Sequence, residues 1–402
     1  MTKLRFLTSG ESHGRALTGI IEGLPSGLSL SSKDIDRELK RRQGGYGRGG
    51  RMKIESDHAE IISGVVKGKT LGSPISILIE NKDWQNWQDI MSVELPESKS
   101  EIPDPKSSVT RPRPGHADLA GALKYNLKDI RLVLERSSAR ETAMRTALGA
   151  VAKNFLSEFD ISIGSFVISI GSVSSRKTEA EDLLKAFKSA EKSPVRCPDA
   201  DASKKMVKLI DKAKKDGNSL GGIFEVFATG LPAGLGSHIQ WDKRLDAEIA
   251  RAMMGIQAIK GVEIGKGFEM ACRFGSEALD EIYYKRETKG AAGLAGGFYR
   301  KTNHAGGLEG GITNGMPLIV RAAMKPIPTQ ARPLRSVDII NKRPYKAAYE
   351  RSDICAVPAA AVVGEAMLAL VIADSLLSKL GGDSMEEIKR NYQGYLKQIN
   401  QF

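Results

Sequence analysis

Residues 138–173, SARETAMRTALGAVAKNFLSEFDISIGSFVISIGSV, change period part-way along. Met144, Leu148, Val151 and Phe155 recur at three- and four-residue intervals, which gathers them on one face of an α-helix. From Ile161 the pattern alternates in twos, as a strand does. The reading is a long amphipathic helix over 138–159 followed by a strand. Ser138 and Glu141 have the spacing of a capping box at the helix start.

Outward from this segment, short strands are expected at 4–9, 17–22, within 72–80, at 222–228 and at 316–324. Helices are expected at 32–42, 242–254, 357–379 and 385–398. The order is α+β, without the regular alternation of a βαβ sheet. Residues 175–217 read as a peripheral, charged helical excursion. Residues 285–311 are Gly-rich with few large apolar side chains, the composition of a lid or binding loop. No long linker divides the chain and no repeat of 20–50 residues is visible. The apolar run 354–373 contains Pro358 and Glu365, so it reads as a buried core helix and not as a membrane span.

The formal net charge of +12 favours acidic partners. Its distribution argues against nucleic acid. The basic clusters 40–53, 111–140 and 325–351 are interleaved with Gly and Pro, whereas base stacking wants exposed aromatics. No RNP, KH or zinc-finger pattern occurs. Cys197, Cys272 and Cys355 form no CxxC pair, and no HExxH or His/Cys cluster is present, so neither a disulfide framework nor a metal site is expected. The first residues, MTKLRFLTSGESHG, lack the pattern of a secretory signal, and a cytoplasmic location is expected.

Two phosphate-binding patterns nearly fit. Gly45, Gly47 and Gly50 satisfy GxGxxG, but a charged helix precedes them and no apolar helix follows. GVVKGKT at 64–70 is one residue short of the loop that wraps a phosphate. In GGYGRGG, flexible backbone would let Arg48 move onto a ligand, or the segment is a solvated turn.

Among five histidines, His58 and His238 have no convergent partners in sequence and read as surface or structural, while His304 is open to either role. His13 in GESHG and His116 in RPGHAD sit among small turn-forming residues that let a ligand approach the ring. An imidazole titrates near neutral pH, and neighbouring arginines supply fixed charge suited to phosphate or carboxylate. Arg136 beside a helix start at Ser138 adds a further anion site. Acid–base chemistry on an anionic small molecule is the reading of these residues.

Six segments in order resemble the chorismate synthase family: GESHG at 10–14, RRQGGYGRG at 41–49, RPRPGHADL at 111–119, RSSARET at 136–142, KPIPT at 325–329, and RSD followed by AVP at 351–358. The resemblance spans nearly the whole chain. It implies one domain over 1–402, with two antiparallel sheets packed around a central layer of long helices, assembled as a homotetramer. The implied reaction is anti 1,4-elimination of phosphate from 5-enolpyruvylshikimate 3-phosphate to give chorismate, dependent on reduced FMN without net redox change.

Residue by residue, the resemblance makes His116 a proton donor toward reduced flavin, His13 the acid for the departing phosphate, and Asp353 an aid to uptake of the substrate proton. Arg48, Arg136 and Arg351 would bind substrate. FMN would be held by Arg136, Ser137, Ser138, Gln257, Ala258, Gly310, Lys325, Pro326, Ile327, Pro328, Thr329 and Arg351. Arg42 and Arg48 match positions linked to NADP in parts of the family, and only some members reduce their own flavin with NADPH. The segment 83–91, DWQNWQDIM, varies in length among members and is assigned no chemistry. Two carboxylates and a phosphate on the substrate, with the flavin phosphate, call for several fixed cations, as the Arg- and Gly-rich clusters supply. A protonated His13 in the complex would neutralise the leaving group. The rivals are a basic binding protein without catalysis and a flavin oxidoreductase that consumes NADPH stoichiometrically.

Overall fold

The structure is a computed structural model that describes residues 4–49, 56–94, 108–176, 178, 182–285, 296–349 and 352–402. Two larger antiparallel sheets organise it. The first has the order Arg5–Ser9, Ala16–Glu22, Ile75–Glu80, Glu60–Ser63. The second has the order Ile259–Ile264, Leu318–Met324, Gly222–Thr229, Ser162–Ile170, Val173–Ser174. In the first sheet, alternation turns Leu17, Ile21, Ile75, Ile77 and Ile79 inward, while Leu7 and Ile20 stay exposed. The inner face packs on the helix Thr142–Ser157. The strand Ser162–Ile170 departs from the half-buried expectation, because Val357–Leu380 covers one face of its sheet and Leu183–Ala190 packs on the same strand.

The helix expected over 138–159 begins differently. A short helix Arg131–Ser137 ends, Ser138 is extended, and a 3₁₀ turn at Ala139–Glu141 leads into Thr142–Ser157. The capping box does not form. Glu141 instead accepts hydrogen bonds from Thr8 Oγ1 (2.7 Å), Arg145 Nε (2.9 Å) and Gln257 Nε2 (3.1 Å). These charged and polar partners from three parts of the chain satisfy the carboxylate better than one backbone amide would. Ser138 Oγ accepts from the Arg140 amide and so still caps the 3₁₀ turn.

Val357–Leu380 is buried along nearly its whole length. Pro358 falls in its first turn, where a missing N–H breaks no helical bond. Small residues set the approach of this helix to Thr142–Ser157: a Cβ on Gly149 would lie 2.3 Å from Ala366 Cβ, so only glycine fits. The one carboxylate within the helix's apolar stretch, Glu365, is fully buried and meets Arg41 (2.7 Å), Lys153 (2.8 Å) and Arg196 (3.3 Å). Burial alone would raise its pKa, but these cations outweigh it and hold the carboxyl well below the usual range. Glu38 and Glu191 complete the cluster on Arg41, Lys153 and Arg196.

In the charged excursion, the helices Leu183–Ala190 and Ala200–Lys215 expose lysines, but Val195 between them and Met206 and Ile210 of the second are buried in the main core. Tyr46 is tied to this region by its amide on Pro194 O (2.7 Å) and its hydroxyl on Asp211 (2.7 Å). Gly47, at φ +88°, would drive a Cβ to 2.9 Å from Ile210. The arginine loop is thus packed against its neighbours, not a solvated turn. Around the Gly-rich segment, Ile282–Tyr284 pairs with Phe298–Arg300.

Candidate active site

One cavity of about 1120 Å³ collects most of the chemistry-bearing residues. It exceeds the roughly 300–1,000 Å³ of an ordinary ligand pocket, which leaves room for more than one small molecule. Its wall includes Arg42, Arg48, Arg113, Arg140 and Lys325 against the carboxylates Asp83 and Asp353. With Asp118 paired to Arg113 (2.8 Å) and Asp57 to Arg140 (2.6 Å) behind the wall, the five cations still exceed the carboxylates, which makes an anion site.

His13 is anchored twice to Glu135: its Nδ1 lies 2.8 Å from Oε1, and its amide donates to Oε2 at 2.7 Å. The Glu135 side chain is fully buried and the imidazole is 15% exposed, so the ring is fixed from behind and open to the cavity. The carboxylate selects the tautomer with a proton on Nδ1. His116 has the same construction, with Nδ1 2.5 Å from Asp118 Oδ1. Arg113 adds its Nε to Asp118 Oδ2 (2.8 Å) and its Nη1 to Thr329 Oγ1 (2.8 Å), joining the RPRPGHAD and KPIPT segments. Burial would raise the Asp118 pKa, yet hydrogen bonds from His116 and Arg113 hold it well below the carboxylate range.

Asp353 is held by the Gly49 amide (2.6 Å) and by Arg48 Nη1 (3.0 Å). Arg42 is buried, donates to Thr142 Oγ1 and Ala139 O (both 3.0 Å), and has Asp57 3.8 Å from its Nη1. Burial, with Arg48 close by, pushes its guanidinium down to about 10. Arg42 Nη1 and Gln257 Oε1 are buried without a hydrogen-bond partner among the described residues, and both side chains line the cavity. Such orphaned atoms are costly unless a ligand meets them. Lys325 donates to the Gly115 carbonyl, next to His116, and burial lowers its pKa.

The cavity brings together His13, Arg42, Arg48, His116, Ser137, Ser138, Gln257, Ala258, Lys325, Ile327, Pro328, Thr329 and Asp353. Arg136 is not on its wall; its guanidinium donates to Thr8 O (2.7 Å) and Gly10 O (3.1 Å). Pro326 is also off the wall, and Gly310 lies in a turn beside His238. Arg351 is outside the described residues. His304 serves its own loop, where Nδ1 is 3.1 Å from Ala278 O. His58 does have a convergent partner, Asp36 at 2.7 Å, which sequence proximity does not reveal because 22 positions intervene.

Sequence reasoning missed Arg113, Asp118, Glu135 and Arg140 as site residues. The motifs contained or flanked all four, but only packing shows that they hold the histidines and the cavity wall. It also missed Trp87, whose ring stacks on His13 with centroids 3.9 Å apart.

A family model described as chorismate synthase matches residues 4–377. The chain belongs to the chorismate synthase family. A protein named chorismate synthase from Aquifex aeolicus (strain VF5) is 58% identical over 406 residues, covering 99% of each chain. One of that name from Geobacter sulfurreducens is 55% identical over 400 residues, covering 99% of this chain and 100% of the relative. A solved structure titled "Crystal Structure of Chorismate Synthase" superposes with a TM-score of 0.79 at 48% identity, covering 99% of both chains. At such identity and coverage, the chorismate synthase fold extends over this chain from end to end.

Proposed function

We propose that this chain converts 5-enolpyruvylshikimate 3-phosphate to chorismate and phosphate by an anti 1,4-elimination that depends on reduced FMN. The observation that supports this is a pair of histidines, each backed at Nδ1 by a buried carboxylate, on the wall of one cation-rich cavity. The reaction breaks the C–O bond to phosphate and a ring C–H bond. The electron pair of the C–H bond is retained in the new double bond, so no oxidant or reductant is consumed.

His13 delivers a proton to the departing phosphate from Nε2, because Nδ1 is committed to Glu135. Arg42, Arg48, Arg113, Arg140 and Lys325 neutralise the substrate's two carboxylates and phosphate and the cofactor's phosphate. His116 keeps its cavity-facing nitrogen oriented through Asp118, as a proton donor on the flavin side. Asp353, fixed by Gly49 and Arg48, assists uptake of the ring proton.

The residues present fit FMN. The orphaned Gln257 Oε1 suits a ring N–H, the small side chains Ala258, Ala356, Ala359 and Ala360 leave a slot for a flat ring system, and Ser137, Ser138, Lys325 and Thr329 suit phosphate and hydroxyl groups. Arg351 belongs to the same reading. Reduced FMN, when bound, supplies electron density transiently and recovers it, which is why it is needed in a reaction without net oxidation.

The finer architecture goes with this reading: two antiparallel sheets as outer layers around the long helices, in one domain over 1–402. The assembly is read as a homotetramer in the cytoplasm, supported by the exposed apolar residues Leu7, Ile20 and Ile62 on the first sheet. Arg136, Pro326 and Gly310 lie off the cavity wall, and their assignment to FMN, and of Arg136 also to substrate, rests on the family resemblance. NADPH, at Arg42 and Arg48, is one of two routes to reduced flavin, the other being an external reductant.

The test is an anaerobic assay of chorismate formation with pre-reduced FMN and no nicotinamide. Product is expected there, and a parallel assay with NADPH present should form many product molecules for each NADPH consumed. Folded protein that makes none, or that consumes NADPH one for one with product, overturns the reading.

A further inference from the structure

The segment 83–91 carries no role in the chemistry described so far, yet it closes over His13. A 3₁₀ turn at Trp84–Asn86 delivers Trp87, and Asp83, Asn86 and Trp87 all line the cavity. The Trp87 ring lies against the His13 imidazole, with centroids 3.9 Å apart and planes within 24°. Its indole N–H donates to Asp83 Oδ2 at 3.1 Å, which fixes the ring in its plane. The Arg131 guanidinium sits 5.0 Å from the Trp87 ring centre and 3.7 Å from Glu135, the carboxylate that holds His13. Arg131, Glu135, His13 and Trp87 therefore close on one another in a ring of contacts.

We propose that Trp87 is a positioning residue for His13, holding the imidazole face-on to an indole so that its protonated form is both oriented and stabilised when phosphate departs. This rests on the reading of His13 as the acid. An indole face carries a negative quadrupole, so it attracts a cation stacked on it and does little for the neutral ring. Glu135 holds His13 at Nδ1, and Trp87, stacked on the ring face, opposes rotation of the ring about that hydrogen bond. Among the described residues, the charged groups around the pair are Glu135 on Nδ1, Arg131 over the indole and Asp83 on the indole N–H, with Arg42, Arg48, Arg113, Arg140, Lys325, Asp353 and His116 elsewhere on the cavity wall.

The experiment compares the full chain with Trp87→Phe, Trp87→Leu and His13→Ala, each checked for folding by circular dichroism. A cationic imidazole quenches an indole stacked on it. Tryptophan emission of the wild type should therefore rise as the imidazole loses its proton on going to alkaline pH, and this step should vanish in both Trp87→Phe and His13→Ala. In the anaerobic assay, Trp87→Leu should lower kcat about ten-fold and move the alkaline limb of the pH profile to lower pH, because less of the protonated acid survives. Trp87→Phe, which keeps an aromatic face, should restore most of the rate and the limb.

A wild type without the emission step, or a step that persists in Trp87→Phe, overturns the proposal. So does an unmoved pH limb in Trp87→Leu, or equal loss in the Phe and Leu variants. If His13→Ala abolishes turnover while Trp87→Leu behaves as wild type, the positioning role falls and the proposed reaction stands. If His13→Ala turns over normally, the reaction assignment falls.

Discussion

Arg41 and Arg42 sit side by side at the end of the helix Ser32–Gln43, and their guanidiniums enter opposite surroundings. Arg41 turns into the core, where Arg41, Lys153 and Arg196 are matched by Glu38, Glu191 and Glu365. Arg42 turns into the cavity, where cations outnumber carboxylates and its Nη1 lacks a hydrogen-bond partner among the described residues. Arg42 is buried and Arg41 partly so, but the Glu365 pair raises the pKa of Arg41 against the effect of burial, while burial and Arg48 lower that of Arg42. A charge-balanced cluster satisfies itself and holds elements together. An unbalanced one stores a demand for anions, which is what a substrate bearing phosphate and carboxylates meets.

If the division is right, damage on the two sides should read out differently. On the cavity side, His13→Ala should cut turnover by about 10²–10⁴-fold while the melting temperature stays near wild type. Steady-state kinetics beside calorimetry decide it, and a large fall in melting temperature would erase the distinction.

On the core side, Glu365→Gln leaves the buried Arg196 and the partly buried Arg41 and Lys153 short of one carboxylate. It should cost about 3 kcal/mol of unfolding free energy, measured by urea titration, because Glu38 and Glu191 then face three cations and one positive charge is left over. A loss below about 1 kcal/mol would mean that the cluster is not a structural tie.

The neighbouring pair gives the sharper test. Arg41→Gln should destabilise the ligand-free protein by about 2 kcal/mol more than Arg42→Gln, since only the second change relieves repulsion. Arg42→Gln should instead raise the KM for the anionic substrate. Equal stability losses would collapse the comparison.

The smallest effect is on pH. Glu365 and Asp118 are held below the usual carboxylate range, so the unfolded chain binds more protons as the medium is acidified. Their stabilisation is complete above the unfolded carboxylate values of about 4 and is lost as pH falls through the folded ones. Unfolding titrations from pH 6 to pH 3 should show stability falling with acid, and Glu365→Gln should flatten the slope.

Much of this was legible in the chain itself. Periodicity located the long helices to within a few residues, and His13 and His116 stood out by their small neighbours and flanking arginines. The capping box at Ser138 and Glu141 was legible and wrong, because Glu141 finds Thr8, Arg145 and Gln257 once the chain is packed. Trp87 gave no sign at all: its segment is assigned no chemistry, and its contact lies 74 positions away at His13.

The sequence by itself determined the order of helices and strands, the membership of the chorismate synthase family, and the residue types able to do acid–base work on anions. These depend on local spacing and on short motifs, which are written in neighbouring residues. Only the tertiary structure decided that Glu135 backs His13, that Asp118 backs His116, and that adjacent arginines part company. Side-chain partners are chosen by burial, since a charge removed from water must be met by whatever group the packing brings within about 3 Å, however distant in the chain.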